Sequence, residues 1–377
     1  MRRKRIGRLF AGTLVLAVVL AGCSTAEDVA EAPAEAPAEE APADGPWEPE
    51  FVDGVLQPTP DGFPSQPLTI LVIDEAGSDD GIYARQVQAI ARELSPVEVN
   101  VVDRPDLGGY GTWEALSVIA EQPGGPEGHI SVVTTIPGAT TDLLTTPVAE
   151  EFGVSIESLN FVLVTESVPW LILGRPDAPW GDSMEDLVAY AQENPGTVKY
   201  ISRGPGAGLN LAFQEYMQVL GFEVETIVGG SLEEINIAVG AGAGDVAVNV
   251  AGVSLPFIED GRLNVLSCTG PIDPCGGPFE NPPNNMQSLT GAALDPWGSN
   301  RGLVVPDTTP AQNKAWLEAL IREVISRQEF IDQRSQVPGL TMVAFNQEEA
   351  LGLQRTAYDI GLRVLGDADL LDPTLTD

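Results

Sequence analysis

Histidine is almost absent: His129 is the only one in 377 residues. A zinc site built on several imidazoles is excluded, and so is any chemistry that needs two of them. No serine or cysteine motif accompanies that lone imidazole, so a hydrolytic triad has no basis, and a structural role is the simpler reading of His129. A G-x-S-x-G elbow is also missing. There are three cysteines, Cys23, Cys268 and Cys275, too few for a disulfide-dense scaffold. Positive charge is scarce, with 19 Lys+Arg against 55 Asp+Glu and a formal net charge of -36. Such a chain repels phosphate backbones, which argues against nucleic acid as a partner. No pair of carboxylates has the setting of a glycosidase acid and nucleophile.

What is present points to a folded, loop-rich protein. Hydrophobic residues make up 43% of the chain, enough to bury a core, with 40 glycines and 31 prolines to turn it. The length fits two to three domain units.

The amino terminus carries Arg2, Arg3, Lys4, Arg5 and Arg8, then an apolar run from Leu9 to Gly22. The run is short for a membrane span, which needs roughly 20 residues, and has the length of a signal h-region. It ends in Leu20-Ala21-Gly22-Cys23, which resembles a bacterial lipobox: cleavage before Cys23 and lipidation of its thiol would hold the protein at a bilayer. An ordinary signal peptide with an incidental cysteine is the alternative. Residues 24–50 contain nine acidic and no basic residues, with Pro33, Pro37 and Pro42 recurring. This composition predicts an extended acidic tether rather than a helix.

Beyond the tether, apolar β-branched runs alternate with helical patterns. Strands are expected at Leu68–Ile73, Val97–Val102 and Ile130–Thr134, with a helix over Tyr83–Leu94 and another ending near Ile119. The run Phe161–Leu173 is broken at Pro169, which marks a strand edge or a crossover between sheets. A second array follows: strands at Thr197–Ser202, Val224–Val228, Asp245–Val250 and Leu263–Ser267, and helices at Met184–Gln192, Ala207–Leu220 and Leu232–Val239. A strand at Arg301–Pro306, a helix opened by Pro310, a short strand at Thr341–Phe345 and a helix at Gln347–Leu365 complete the chain. Strand-helix alternation predicts parallel sheets, and two such arrays predict two lobes around a cleft.

Four polar or Gly-rich turns follow strands: Asp74–Gly81, Asp103–Gly111, Ser202–Gly208 and Gly229–Ser231. Backbone N–H groups at such turns attract anions. The Ser202–Gly208 turn lacks the Lys-Ser/Thr of a nucleotide P-loop; a plain strand-to-helix turn is its other reading. Cys268 and Cys275 flank a short loop, for which a disulfide is expected and a metal pair is the alternative. The acidic pairs Glu233-Glu234 and Glu348-Glu349 read as solvated helix faces. Trp170 and Trp297 stand beside the expected crossovers.

These motifs, in this order, resemble the tripartite tricarboxylate transporter receptors, also called Bug-type extracytoplasmic solute receptors. The matching segments are Pro67–Gly77, Val102–Gly109, Glu127–Ile130, Asn194–Gly206, Val228–Gly230 and Pro306–Pro310. The resemblance implies a two-lobed, periplasmic-binding-protein-like fold of the Venus-flytrap type, each lobe a mostly parallel sheet flanked by helices. It implies a ligand carboxylate between the lobes, held at Ala76, Gly77 and Ser78, at Leu107, Gly108 and Gly109, and at Ser202 and Gly206 of the other lobe. The sequence departs from the family at Asp74-Glu75 and Asp106, which add acids near that site, and at Arg203, which could pair with an acidic ligand group.

The expected organisation is a lipoprotein signal at 1–22, a lipidated Cys23 and tether at 23–66, lobe 1 at 67–164 and 286–377, and lobe 2 at 165–285. The expected function is a non-enzymatic receptor, without cofactor or metal, on the outer face of the cell membrane. It would deliver a small organic acid to membrane permease subunits of a tripartite transporter. A flytrap sensor signalling to a membrane kinase is the alternative, and a surface hydrolase is disfavoured.

Overall fold

The computed structural model describes residues 47–74, 77–107, 111–204, 206–271, 279, 289, 296–367 and 371–373. A short hairpin, β1 (Phe51–Val52) and β2 (Val55–Leu56), opens this part of the chain. There follow β3 (Leu68–Val72), α1 (Asp79–Leu94), β4 (Val99–Asp103), α2 (Gly111–Ala120), β5 (Ile130–Ile136), α3 (Gly138–Thr145), α4 (Val148–Phe152) and β6 (Asn160–Val168). Next come β7 (Trp170–Gly174), α5 (Met184–Glu193), β8 (Lys199–Ser202), α6 (Gly208–Leu220), β9 (Glu225–Val228), α7 (Leu232–Gly240), β10 (Val246–Val250), α8 (Ala251–Glu259) and β11 (Asn264–Cys268). The last group is β12 (Ser299–Val305), α9 (Ala311–Ser326), α10 (Gln328–Arg334), β13 (Thr341–Phe345) and α11 (Gln347–Asp367).

The strands make a six-stranded sheet in the order β13-β6-β12-β5-β3-β4 and a five-stranded sheet in the order β11-β7-β10-β8-β9. Both lie in one compact unit, Pro46–Asp377. Each sheet is the centre of one lobe. The expected parallel pairing holds for β4-β3-β5 and for β9-β8-β10. The remaining pairs are antiparallel, so both sheets are mixed. The reason is the route of the chain: β6 passes straight into β7 of the other sheet across Pro169, and β12 re-enters between β5 and β6. Strands that cross between lobes this way do not complete right-handed βαβ units. The proline read from sequence as a break is the first crossover.

Alternation along the strands accounts for the layers. Leu68, Ile70 and Val72 of β3 and Leu303 and Val305 of β12 face a core closed by Tyr83, Val87 and Ile90 of α1 and Trp316, Leu320 and Ile321 of α9. Leu71, Val132 and Val304 face the opposite side, against Trp113 and Leu116 of α2, Leu143 of α3 and Leu353 of α11. In the other lobe, Ile172, Tyr200 and Val248 pack under α5 and α6, while Leu171, Ile201 and Ala247 pack under α7 and α8. Each large side chain buried this way stabilises the fold by about 1.5–3 kcal/mol before entropy is counted. Apolar runs covered on both faces are what the continuous hydrophobic strands required.

Local sequence fixes the helix ends. The Ser78 hydroxyl accepts the Gly81 N–H at 3.1 Å, and Asp79 and Asp80 fill the first turn of α1. At α7, Ser231 and Glu234 form a reciprocal capping box, with bonds of 2.7 and 3.2 Å. Glu234 and Glu349 are exposed, as expected of solvated helix faces, and each also accepts a backbone N–H at a helix start. Away from the helix starts, Asp372 N–H donates to the Leu144 carbonyl at 2.8 Å and ties the segment after α11 to α3. No helix among the described residues is long and apolar enough to cross a membrane.

Candidate functional site

The strands β4, β3 and β5 run parallel, with Val72 paired to Asp103 and Leu71 to Val132, so their carboxyl ends point the same way. The turns that leave them therefore share one edge of lobe 1, the position where open α/β sheets bind ligands. The turn after β8 leaves the matching end of the parallel strands in lobe 2.

The first turn is braced from behind. Arg301 of β12 bonds to Asp80 through Nε at 2.6 Å and to Asp79 through Nη2 at 2.5 Å. Its third nitrogen reaches Glu166 of β6, which Arg334 of α10 also grips. Glu166 is fully buried and Arg334 nearly so. Tyr83 lies with its ring 5.6 Å from both guanidinium carbons and its hydroxyl 2.7 Å from Thr165 Oγ1. Burial pulls the Arg301 pKa down, but the charges of Glu166, Asp80 and Asp79 outweigh it and keep the guanidinium firmly protonated. Asp79 and Asp80 are thus neutralised internally. Asp74 is exposed, and its carboxyl is raised by partial desolvation and by the charge and hydrogen bond of Asp80.

At the second turn, Arg104 chelates Asp106 with bonds of 2.8 and 2.7 Å on the surface, so this acid too is answered locally. Leu107 turns into the core of lobe 1. Gly111 opens α2 at φ +56°, a left-handed backbone.

The turn after β5, at Pro137, leads into α3, which meets both lobes. Gly138, Asp142 and Thr145 stand at i, i+4 and i+7 and so form one stripe. An ideal Cβ on Gly111 would lie 2.8 Å from Asp142 Oδ2, so α2 and α3 meet where residue 111 has no side chain. From lobe 2, a Cβ on Gly206 would lie 3.1 Å from Thr145 Cγ2. One on Gly208 would lie 2.9 Å from Trp170 Cη2 and 3.6 Å from Pro137 Cγ. The Ser202–Gly208 turn therefore sits on α3, and glycine permits the approach. Burial raises the Asp142 carboxyl to about 6.

The sequence-derived candidates fare differently. Ser78 is in place, but its hydroxyl caps α1. Ser202 is buried, donating to Asn210 Oδ1 at 2.9 Å and accepting from Gly204 N–H at 3.0 Å. Gly77 stands at the first turn, and Arg203 is exposed on the Ser202–Gly208 turn. Ala76, Gly108 and Gly109 lie outside the described residues, as do Cys23 and Cys275; Cys268 is disulfide-bonded. The Gly229–Ser231 turn offers no room to an anion, because the Glu234 carboxylate already occupies it. Trp170 and Trp297 stack at 6.3 Å beside the crossovers, with Trp170 Nε1 3.3 Å from Ser299 Oγ and Trp297 Nε1 2.5 Å from Glu215 Oε2. His129 is buried in lobe 1, accepting the Ser65 N–H at 3.1 Å and packing on Phe63, away from the turns. The enclosed cavity beside it, about 20 Å³, is apolar and too small for a solute.

Asp142 and the Arg301–Glu166–Arg334 network were not read from sequence. A glutamate inside the fully buried run of β6 was the available signal, since a buried carboxylate requires a cation. Asp142 follows β5 in a stretch of small and hydroxyl residues that has no helical signature of its own.

Residues 84–273, half of the chain, match the family model described as the tripartite tricarboxylate transporter family receptor. The chain belongs to this family. A relative from Cupriavidus necator, described as a UPF0065 protein in the gbd 5' region, is 26% identical over 215 residues, 56% of this chain and 61% of its own length. The chain thus spans about three fifths of that relative. Among solved structures, a TctC solute binding protein from Polaromonas is 20% identical with a TM-score of 0.68, covering 81% of this chain and 99% of that one. An R. palustris protein solved with adipate is 18% identical (TM-score 0.58, 81% and 98% covered). MatC from Rhodopseudomonas palustris, with bound malate, is 17% identical (TM-score 0.54, 80% and 100% covered). At these identities the structures show the shared two-lobed fold of this receptor family.

Proposed function

We propose that this receptor-family chain captures a small organic acid between its lobes on the outer face of the cell membrane and hands it to membrane permease subunits of a tripartite transporter. The observation that carries this reading is the meeting of the Ser202–Gly208 turn of lobe 2 with α3 of lobe 1, at the edge where the turns after β3, β4 and β5 converge. In this reading, backbone N–H groups near Gly77 and Ser78, and those of Leu107–Gly109, receive one carboxylate. Gly206 and the Ser202 backbone close on it from lobe 2. Arg203 has no ion-pair partner among the described residues and supplies a cation at the rim. Asp79, Asp80 and Asp106 do not oppose the ligand's charge, because Arg301 and Arg104 already answer them. The bound dicarboxylates of the adipate and malate structures support the ligand class.

Closure would bend the chain at Pro169 and at the return crossover before β12, bringing the lobes together around the guest. Ligand that prefers the closed form shifts the population toward it, and that form is what a permease can recognise. Binding and delivery make up the whole task, and no bond is made or broken. Lipidated Cys23 and the acidic tether keep the lobes at the bilayer.

A thermal-shift screen of the full chain over mono-, di- and tricarboxylates, with sugars and neutral aromatics as controls, tests the reading. A carboxylate that raises Tm, and loses at least tenfold in affinity on Arg203→Ala, supports it. No response to any carboxylate refutes it.

A further inference from the structure

Among the described residues, Asp142 is the one carboxylate removed from full exposure that has neither a hydrogen bond nor an ion pair. Its peers are all answered. Asp80 and Glu166 meet Arg301, Asp103 meets Arg85 at 2.5 Å, Asp245 meets Arg175 at 2.7 Å, and Glu215 meets the Trp297 indole. A partly desolvated carboxylate left without a donor is costly, and its presence calls for a reason.

Its position says which partner. Asp142 lies on the stripe of α3 that runs from the start of α2 to the lobe 2 turn. Its Oδ2 faces the position where residue 111 lacks a side chain, and Thr145, three residues on, touches Gly206. Three residues of helix advance about 4.5 Å, so the carboxylate is within the span of a small solute from the opposing turn. The exposed Arg203 stands on that turn. Lobe 1 thus offers an unpaired anion on α3, and the lobe 2 turn that meets α3 carries an unpaired cation.

We propose that the ligand carries a protonated amine as well as a carboxylate, and that Asp142 recognises the ammonium group. This deepens the receptor reading above and rests on it: the backbone amides and Arg203 take the carboxylate end, and Asp142 takes the amine. No charged group on α2, on α3 or on the 202–208 turn contributes to the Asp142 environment, and desolvation alone raises its pKa. An ammonium group would supply the missing charge and hydrogen bond together, while a second carboxylate at this point would be repelled.

Calorimetry on the full chain with matched pairs tests the assignment: succinate against aspartate, glutarate against glutamate, and propionate against β-alanine. The expected result is that at least one aminated member binds tenfold or more tightly than its amine-free counterpart, and that Asp142→Asn abolishes this preference. The Asn variant must bind the amine-free member at least as tightly as the parent does, which separates loss of recognition from misfolding. Carboxylates that bind with no gain from the amine, or a preference that survives Asp142→Asn, overturn this assignment and leave the receptor reading standing. Failure of every carboxylate, aminated or not, overturns both.

Discussion

Arg334 holds Glu166 by two parallel bonds, Nε to Oε2 at 2.7 Å and Nη2 to Oε1 at 2.7 Å, with both side chains out of water. The pair links α10 to β6, and Arg301 extends it to the first turn of α1. Removing one member leaves a buried charge without its counter-ion. Glu166→Ala should therefore cost about 3–5 kcal/mol in urea unfolding. Arg104→Ala breaks an equally well-formed but exposed pair, and should cost less than about 1 kcal/mol. Similar losses for the two variants would contradict the internal bracing of the first turn.

Asp142 should make stability depend on pH in the unusual direction. Burial raises its folded carboxyl to about 6, well above the usual carboxylate range. The folded state therefore binds a proton more tightly than the unfolded chain, so this group's contribution rises as pH falls from about 7 to 4. Asp142→Asn should stabilise the ligand-free protein at pH 7.5 by roughly 1–2 kcal/mol, allowing for solvent access, and the gain should vanish below pH 4. Chemical denaturation at the two pH values gives the comparison; an equal effect at both would argue against a desolvated carboxylate.

Gly208 faces the indole of Trp170, whose partner Trp297 is itself pinned to Glu215. The ring has little freedom to retreat. Gly208→Ala should cost about 1–3 kcal/mol through overpacking and should shift tryptophan emission. Gly252→Ala, at a position with nothing near the new methyl group, is the control and should leave the emission alone.

The lipobox makes a cellular prediction. Cys23→Ser should move the protein from the membrane fraction to the soluble extracytoplasmic fraction, and metabolic labelling with a fatty acid should be lost. Retention of label on the variant would assign the anchor elsewhere.

The fold was largely legible because its strands are covered on both faces. Continuous runs such as Leu68–Val72 have one stable environment, and the turns after them follow from glycine and proline. Strand direction was less legible. Nothing local distinguishes β12, which runs antiparallel between β5 and β6, from another βαβ strand; its place depends on contacts more than 130 residues away. The candidate site was legible only in its backbone. Glycine turns announce themselves in sequence, whereas the value of Asp142 depends on what does not surround it. The same limit hid the role of Arg301, an arginine in an apolar strand whose partners at Asp79, Asp80 and Glu166 come from two other elements. The hydroxyls of Ser78 and Ser202, attractive as ligand donors in sequence, are taken by neighbours a few residues along the chain.

The place of β12 between β5 and β6 also sets a schedule. Strands β7 to β11 form one uninterrupted stretch, so lobe 2 has all its strands as soon as β11 has been synthesised. Lobe 1 does not: until β12 emerges, β5 has a bare edge and β6, whose other neighbour β13 also comes later, has no strand partner at all. The half made first is therefore the half completed last, and for that interval its unpaired backbone is open to chaperones and to aggregation alike.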